Sequence, residues 1–265
     1  YLQTLYCKRN DIRYIENLPV NLLVFDCSYN VIPKIQGLPI NLHTFVCSFN
    51  TITKIEDLPE SLKIFNCSCN YISVIENLPK NLLVFECMGN NISTIQNLPI
   101  GLTSFTCDNN MILVLQNLPQ TLSVLRCDSN FISKIQNLPD SLRIFDCRFN
   151  GISKIENLPN SLYKMSCSYN NITVIENLPL GLRCFDYIGN IIEKVDNVDI
   201  ERIRFKLTGY TSIKILQKRY KRRHLGCINF IQECIHLWVW KPLTDDYKLG
   251  VRLRIDLEDL LEADT

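Results

Sequence analysis

Apolar residues recur along this chain at fixed places in a 20-residue unit, which runs ten times in register before it decays near residue 200. The unit reads L-x-x-F-x-C-x-x-N-x-I-x-x-I-x-N-L-P-x-x, and its second copy begins at Leu22. Self-similarity at such a period is typical of stacked supersecondary units, none of which buries its apolar face alone. The pattern therefore predicts a solenoid over residues 1–200, with one coil per unit.

Alternation within each unit predicts a strand. Phe25 and Cys27 point inward, whereas Val24 and Asp26 point outward, because side chains alternate with a period of two. We expect these strands to stack in parallel, one per coil. An asparagine follows each strand, and its amide is placed to satisfy backbone groups at the turn. These asparagines are Asn10, Asn30, Asn50, Asn70, Asn90, Asn110, Asn130, Asn150, Asn170 and Asn190.

Nine of the 13 cysteines occupy a single inward position of the repeat. Side chains on stacked strands point the same way, which does not suit a disulfide. We interpret these cysteines as reduced, small, buried hydrophobes, and they favour a reducing compartment. They are Cys7, Cys27, Cys47, Cys67, Cys87, Cys107, Cys127, Cys147 and Cys167.

The return half of each coil contains N-L-P-x-x in nine units, from Leu18-Pro19 to Leu178-Pro179. A proline removes an amide donor and disfavours helix at the residue before it. We therefore expect an extended, polyproline-like or 3-10 return side. With two thin sides, the coils should form a gently curved ribbon.

The wording L-x-x-F-x-C-x-x-N-x-I resembles the leucine-rich repeat, L-x-x-L-x-L-x-x-N-x-L, over about three quarters of the chain. The Leu-Pro coils are most similar to the short repeats of bacterial effectors. The repeats are rich in Asn, Ile and Lys, and this composition resembles that of leucine-rich repeat proteins of giant viruses and protists. The resemblance implies an α/β-type repeat solenoid, with its parallel sheet on the concave face and a role in protein binding.

Residues 201–265 depart from the repeat, and we expect a decaying eleventh coil followed by a small mixed helical cap. From Ile213 to Trp238 apolar residues recur at spacings of three and four, whereas Leu249 to Leu257 alternate like a strand. Between Arg202 and His224 lie nine Lys or Arg and no acid. This basic segment is either a solvated face of the cap or a contact for nucleic acid or an anionic surface. Its densest part is Lys218, Arg219, Lys221, Arg222 and Arg223.

Two further interpretations of the tail are weaker. Leu216-Gln217 followed by Lys221-Arg222 loosely resembles a calmodulin-binding IQ motif. A zinc site could use the histidines and cysteines of the tail as ligands. On one helix, however, Cys234 and His236 would point about 200° apart, and no paired C-x-x-C exists. Those ligands are His224, Cys227, Cys234 and His236. We therefore predict no metal and no cofactor.

Nothing in the sequence indicates an enzyme. The three histidines are scattered, there is no glycine-rich phosphate loop, and the outward positions show no convergent catalytic set. Some effectors with similar repeats append a ubiquitin-ligase domain with a C-x-D cysteine, but Cys227 and Cys234 lack that context. The net charge is +1 and no stretch is long enough to span a membrane. Because the repeat cysteines favour a reducing compartment, we expect an intracellular protein, in the host cytoplasm if it is viral.

The start of the chain leads to a further expectation. Tyr1 is not a methionine and Leu2 already lies inside a repeat. An exposed first coil would leave a sheet edge and core unprotected, so we expect further coils or a cap upstream.

The outward strand positions vary among coils and are where a partner would bind. Aromatic pairs flank a middle of small residues with acidic side chains nearby, and this acidic centre suggests a partner with a basic segment. The candidate partner-binding residues are Tyr29, Phe49, Glu86, Asp108, Arg126, Asp128, Asp146, Arg148, Phe149 and Tyr169. The alternative is that these rings merely lie over neighbouring coils. The sequence thus predicts a noncatalytic adaptor that binds protein through its strand face, or a receptor that recruits an enzyme through its tail.

Overall fold

The computed structural model describes residues 2–175, 177–192 and 194–195 of the chain. Within these ranges the secondary structure consists of short strands and turns, with no helix. Ten strands form one parallel sheet, and neighbours are offset by one repeat, so that Thr4 pairs with Val24 and Val24 with Thr44. The sheet strands are β1 (Thr4–Tyr6), β2 (Val24–Asp26), β4 (Thr44–Val46), β6 (Ile64–Asn66), β7 (Val84–Glu86), β8 (Ser104–Thr106), β9 (Val124–Arg126), β10 (Ile144–Asp146), β11 (Lys164–Ser166) and β13 (Cys184–Asp186).

The return side contains only short strands among the residues that the structure describes. It forms two small parallel pairs and one bridge, between Leu115 and Ile135. The paired return strands are β3 (Lys34–Ile35) with β5 (Lys54–Ile55), and β12 (Val174–Ile175) with β14 (Lys194–Val195). Proline at every return turn removes a donor, which keeps this side from forming a helix.

The core is a column of inward side chains between the sheet and the return side. Phe25, Phe45, Phe65, Phe85 and Phe105 are fully buried, and successive rings are stacked with centroids 5.5–5.7 Å apart. Burying such a ring contributes about 1.5–3 kcal/mol relative to leaving it exposed. The inward cysteines of the second to ninth coils are buried beside the rings, which confirms them as small core residues.

The asparagines that follow the sheet strands, Asn10 to Asn190 at intervals of 20, join successive coils, and we call them the ladder asparagines. The Asn50 side chain donates to the carbonyls of Cys27 at 3.0 Å and Cys47 at 3.1 Å, and its Oδ1 accepts from the amide of Ile32 at 3.0 Å. The same bonds recur down the stack, as at Asn150. The predicted structural role of these asparagines is therefore confirmed.

Each of the first nine coils passes twice through the left-handed region of backbone space, which the alternation pattern does not predict. One left-handed position immediately precedes the ladder asparagine, and we call it the edge position. It is occupied by Arg9, Tyr29, Phe49, Cys69, Gly89, Asn109, Ser129, Phe149, Tyr169 and Gly189. The other precedes Leu-Pro, and we call it the corner position. It is occupied by Asn17, Gly37, Asp57, Asn77, Asn97, Asn117, Asn137, Asn157 and Asn177.

The backbone at the corner position explains why asparagine precedes Leu-Pro in most units of the repeat. Asn, Asp and Gly are the residues that most readily adopt a positive φ. All nine corner residues are of these types and all nine are exposed. Their selection therefore rests on the backbone. The predicted eleventh coil and helical cap lie outside the described residues.

Candidate partner-binding surface

The candidate residues lie where the sheet strands end, in three adjacent columns. The first column contains the last residue of each strand, the second contains the residue two places later, and the third is the edge position. The second column is more buried than its outward placement suggests, and its burial is clearest at the serines. Ser28, Ser48, Ser68 and Ser168 are all buried.

Asp108 stands in this buried second column. Its side chain is only 8% exposed, and its Oδ1 accepts a hydrogen bond from the backbone amide of Asp128 at 2.9 Å. Burial, together with the charges of Asp128 and Asp146, raises the pKa of the Asp108 carboxyl to about 8. Asp108 therefore retains a proton near neutral pH and adds little negative charge to the surface.

Arg148 neutralises much of the remaining acidic centre. Its Nε and Nη2 donate to the two carboxylate oxygens of Asp146, both at 2.8 Å, and Nη2 lies 3.8 Å from an oxygen of Asp128. Such a two-pronged contact holds both side chains in one geometry. Glu86 is engaged as well, since it accepts from the Asn66 amide at 2.6 Å. The acidic centre expected from sequence is therefore a self-paired cluster.

Arg126 is the last residue of β9 and is half-buried. It stands in register between Thr106 and Asp146 in the adjacent strands. Arg126 thus lies in register beside Asp146 of the adjacent strand, and Arg148 is the arginine that pairs with the carboxylates of Asp146 and Asp128.

The aromatic edge residues form two stacks. The rings of Tyr29 and Phe49 lie 4.2 Å apart and nearly parallel, and those of Phe149 and Tyr169 lie 4.5 Å apart. Arg9 extends the first stack, with its guanidinium carbon 5.6 Å from the centre of the Tyr29 ring. All four rings remain half-buried. Each ring thus stacks on the ring of an adjacent coil and keeps part of its surface exposed.

Gly189 is required at the end of the second stack. A Cβ atom built on it would lie 2.6 Å from Cδ1 and 3.0 Å from Cε1 of Tyr169, so the Tyr169 ring rests directly over the glycine backbone. Its φ of +75° also favours glycine. The sequence offered one signal for this arrangement, namely a glycine one repeat after an aromatic edge residue.

The thiols of the inward cysteines are only weakly acidic. Burial raises the pKa of each thiol in the second to ninth coils well above its ordinary value, because a thiolate would lose its solvation. Burial also raises the pKa of the edge thiol Cys69 to about 12. Their burial suits packing and disfavours the thiolate form, which is the nucleophilic form of cysteine.

The basic and zinc candidates of the tail lie outside the described residues. Within the described part, no group of three or more His, Cys, Asp or Glu is arranged to hold a metal ion. The same part of the chain contains no helix long and apolar enough to cross a membrane.

No protein-family model matches the sequence, and no curated protein matches it. Solved structures do match. YopM from Yersinia enterocolitica is 26% identical with a TM-score of 0.61, and the match covers 71% of this chain and 47% of that one. The functional domain of InlJ from Listeria monocytogenes, which includes a cysteine ladder, is 27% identical with a TM-score of 0.65, covering 72% of this chain and 45% of that one.

YopM from Yersinia pestis, a leucine-rich effector protein, shows the fold alone. It is 22% identical with a TM-score of 0.65, and the match covers 74% of this chain and 63% of that one. The chain thus spans less than two thirds of the length of each of these proteins.

Proposed function

We propose that this chain, a leucine-rich repeat protein by its sequence pattern and its parallel-strand fold, is a noncatalytic scaffold that binds a protein partner through its sheet face. We place the partner across the strand ends, on the face expected to be concave, with the two aromatic stacks as anchors. The similarity of the fold to solved leucine-rich repeat proteins supports this role, since their repeats present extended surfaces suited to binding.

The observation that carries the proposal is the presence of aromatic side chains at left-handed edge positions. A non-glycine residue there costs about 1–2 kcal/mol, and stacking of two rings offsets only about 0.5–1.5 kcal/mol. The fold does not need the rings, because Gly89, Asn109 and Ser129 occupy the same position in the middle coils. Aromatic residues are favoured anchors in protein interfaces, so binding gives a reason for them that folding does not.

The two stacks are separated by a distance suited to an extended interface. Phe49 and Phe149 lie five coils apart, which is about 24 Å at the spacing of parallel strands. Between them, the self-paired cluster around Arg148 offers hydrogen-bonding groups with little net charge. We infer that the anchors are apolar and that the centre contributes polar complementarity.

The test replaces Phe49 and Phe149 with Asn, which the chain itself uses at Asn109 and which tolerates the left-handed backbone. Proteins captured from native lysate are quantified by mass spectrometry. Partners should be retained by the unaltered chain and lost by the double variant. The matched control is Ile100→Asn, which changes an 87% exposed apolar residue at a turn outside the sheet.

Capture of the same partners by the double variant would contradict the proposal. The rival is an anionic partner held by the basic tail. It would be selected if binding fell steeply with salt and vanished when Lys218, Arg219, Lys221, Arg222 and Arg223 were all replaced by Gln.

We further place the protein in a reducing compartment. Cys184 is exposed and Cys7 is half-buried, and exposed thiols persist most readily where glutathione and thioredoxin keep them reduced. Mass spectrometry of the protein after rapid alkylation in cells tests this, since oxidised Cys184 in the native extract would contradict it.

A further inference from the structure

Basic residues gather where the last sheet strands begin, at the opposite end from the aromatic stacks. Arg143 precedes β10, Lys164 opens β11, and Arg183 precedes β13. Backbone bonds hold the three coils together here, from the Tyr163 amide to the Arg143 carbonyl and from the Arg183 amide to the Tyr163 carbonyl, both at 2.9 Å. All four side chains are exposed. We call Arg143, Tyr163, Lys164 and Arg183 the basic patch.

The charges of the basic patch are not neutralised by the described part of the chain. Among described residues, no carboxylate lies within 4.0 Å of the Arg143, Lys164 or Arg183 cationic groups, although Asp140 occupies the turn before Arg143. Arg183 lies over the Tyr163 ring, with its guanidinium carbon 6.0 Å from the ring centre, and Tyr163 is 43% exposed. The patch therefore combines three uncompensated cations with an aromatic side chain.

The fold does not require these residues. The position of Lys164 carries only neutral side chains in the first eight coils, and most of them are β-branched, which suits a strand. Its counterparts are Thr4, Val24, Thr44, Ile64, Val84, Ser104, Val124 and Ile144. At the position of Arg143, the first seven coils carry a single lysine or arginine, Lys63. Three cations in consecutive coils thus depart from the repeat, and the coil does not need them for its fold.

The distribution of charge around the patch selects the kind of anion that fits. Asp146 and Asp186 end the strands whose starts are basic, three residues beyond Arg143 and Arg183. That separation is about 10 Å along an extended strand. Asp146 is paired with Arg148, but no cationic group among the described residues lies within 4.0 Å of the Asp186 carboxylate. A long polyanion such as nucleic acid that followed this strand would meet Asp186, whereas a short acidic segment would not.

We propose that Arg143, Lys164 and Arg183, with Tyr163, form a docking site for a short acidic segment of a protein partner. The span from Arg143 to Arg183 covers two coil steps, or about 10 Å, which matches about three residues of an extended peptide. The arginine forks bind carboxylates in two-pronged fashion, and the lysine adds a point charge. This site stands apart from the aromatic stacks and does not depend on them.

The test uses a labelled peptide of alternating glutamate and serine as the probe, with binding to the full chain followed by fluorescence anisotropy. The triple variant Arg143→Ser, Lys164→Val and Arg183→Thr introduces residues that equivalent positions carry at Ser123, Val124 and Thr103. We expect the triple variant to bind the peptide at least about tenfold more weakly than the unaltered chain, and the affinity of the latter to fall with added salt. Matching circular dichroism spectra establish that the variant is folded.

The matched control is Lys63→Thr, which removes an exposed lysine from the same position as Arg143, where the equivalent residues of the adjacent coils are His43 and Leu83 and neither is a lysine or an arginine. Its affinity for the peptide should be unchanged. An equal loss in this control, or no measurable binding by the unaltered chain, would overturn the proposal. Tighter binding of a labelled oligothymidylate, lost in the triple variant, would also overturn it in favour of a nucleic-acid site. Retention of the peptide by the Phe49→Asn, Phe149→Asn variant would show that the two surfaces act separately.

Discussion

The edge position and the corner position have nearly the same backbone conformation but accept very different side chains. Non-glycine φ values are 49–57° at the edge and 51–55° at the corner. The corner holds only Asn, Asp or Gly, whereas the edge also holds Arg, Cys, Ser, Phe and Tyr. The left-handed backbone alone therefore does not decide which residue stands there.

The difference lies in what surrounds each side chain. Corner residues are exposed, so the intrinsic preference of the backbone selects them. Edge residues lie beside equivalent residues of neighbouring coils, and planar rings stack at 4.2–4.5 Å. Stacking offsets part of the conformational cost at the edge, and a bound partner would offset the rest.

The largest effect that separates the two positions should come from glycine substitution. Gly189→Ala adds a Cβ that would lie 2.6 Å from Cδ1 of Tyr169, so the ring must move in addition to the strain at φ +75°. We expect a loss of about 3 kcal/mol of unfolding free energy. Gly37→Ala, at a corner with φ +65° and no atom within 4 Å of the new Cβ, should cost only about 1 kcal/mol. Urea unfolding midpoints measure both, and equal costs would mean that the Tyr169 ring is not held against Gly189.

A smaller effect should appear in the pH dependence of stability. Asp108 immediately precedes the edge residue Asn109, and the pKa of its carboxyl is raised to about 8. The folded chain therefore keeps a proton that the unfolded chain releases near pH 4. Stability should therefore fall as pH rises from about 4 to about 8, and the loss should be complete above that range. Asp108→Asn should flatten this slope and stabilise the chain by about 1–2 kcal/mol at pH 9, after discounting for solvent and relaxation.

The control for Asp108→Asn is Asp57→Asn at an exposed corner, which removes one negative charge while keeping a residue suited to the left-handed backbone. Chemical denaturation between pH 4 and pH 9 compares the two variants. A slope as steep in Asp108→Asn as in the unaltered chain would show that Asp108 does not hold the proton.

The smallest effect should come from the stacks themselves. Tyr29→Asn and Phe49→Asn each relieve backbone strain and remove a ring, so each single variant should change stability little. A double-mutant cycle isolates the contact, and we expect a coupling energy of about 0.5–1.5 kcal/mol. Additive single and double variants would show that the 4.2 Å stack contributes nothing.

Much of the fold could be predicted from the repeat. The inward Phe and Cys columns, the parallel register and the bonds of the ladder asparagines follow from alternation within one coil, copied at a fixed period. The exposure of the candidate site could not be predicted, because it depends on neighbouring side chains. Asp108 was expected to face outward and is buried, and Asp146 was expected to attract a basic partner and is paired with Arg148.

The corner asparagines offered a signal that alternation does not contain, since a column restricted to Asn, Asp and Gly indicates a positive φ. The basic patch offered another, in three cations at matching places of consecutive units. Both are visible only when the chain is compared column by column.

The sequence by itself determined that the chain is a stack of coils, which side chains lie inside, and where each coil turns, because these depend on local alternation and on proline and asparagine chemistry. The tertiary structure decided which outward residues are accessible, which charges are neutralised and which rings meet. These depend on contacts between residues at least one repeat apart, where a turn conformation or a glycine such as Gly189 sets what a neighbouring side chain can reach.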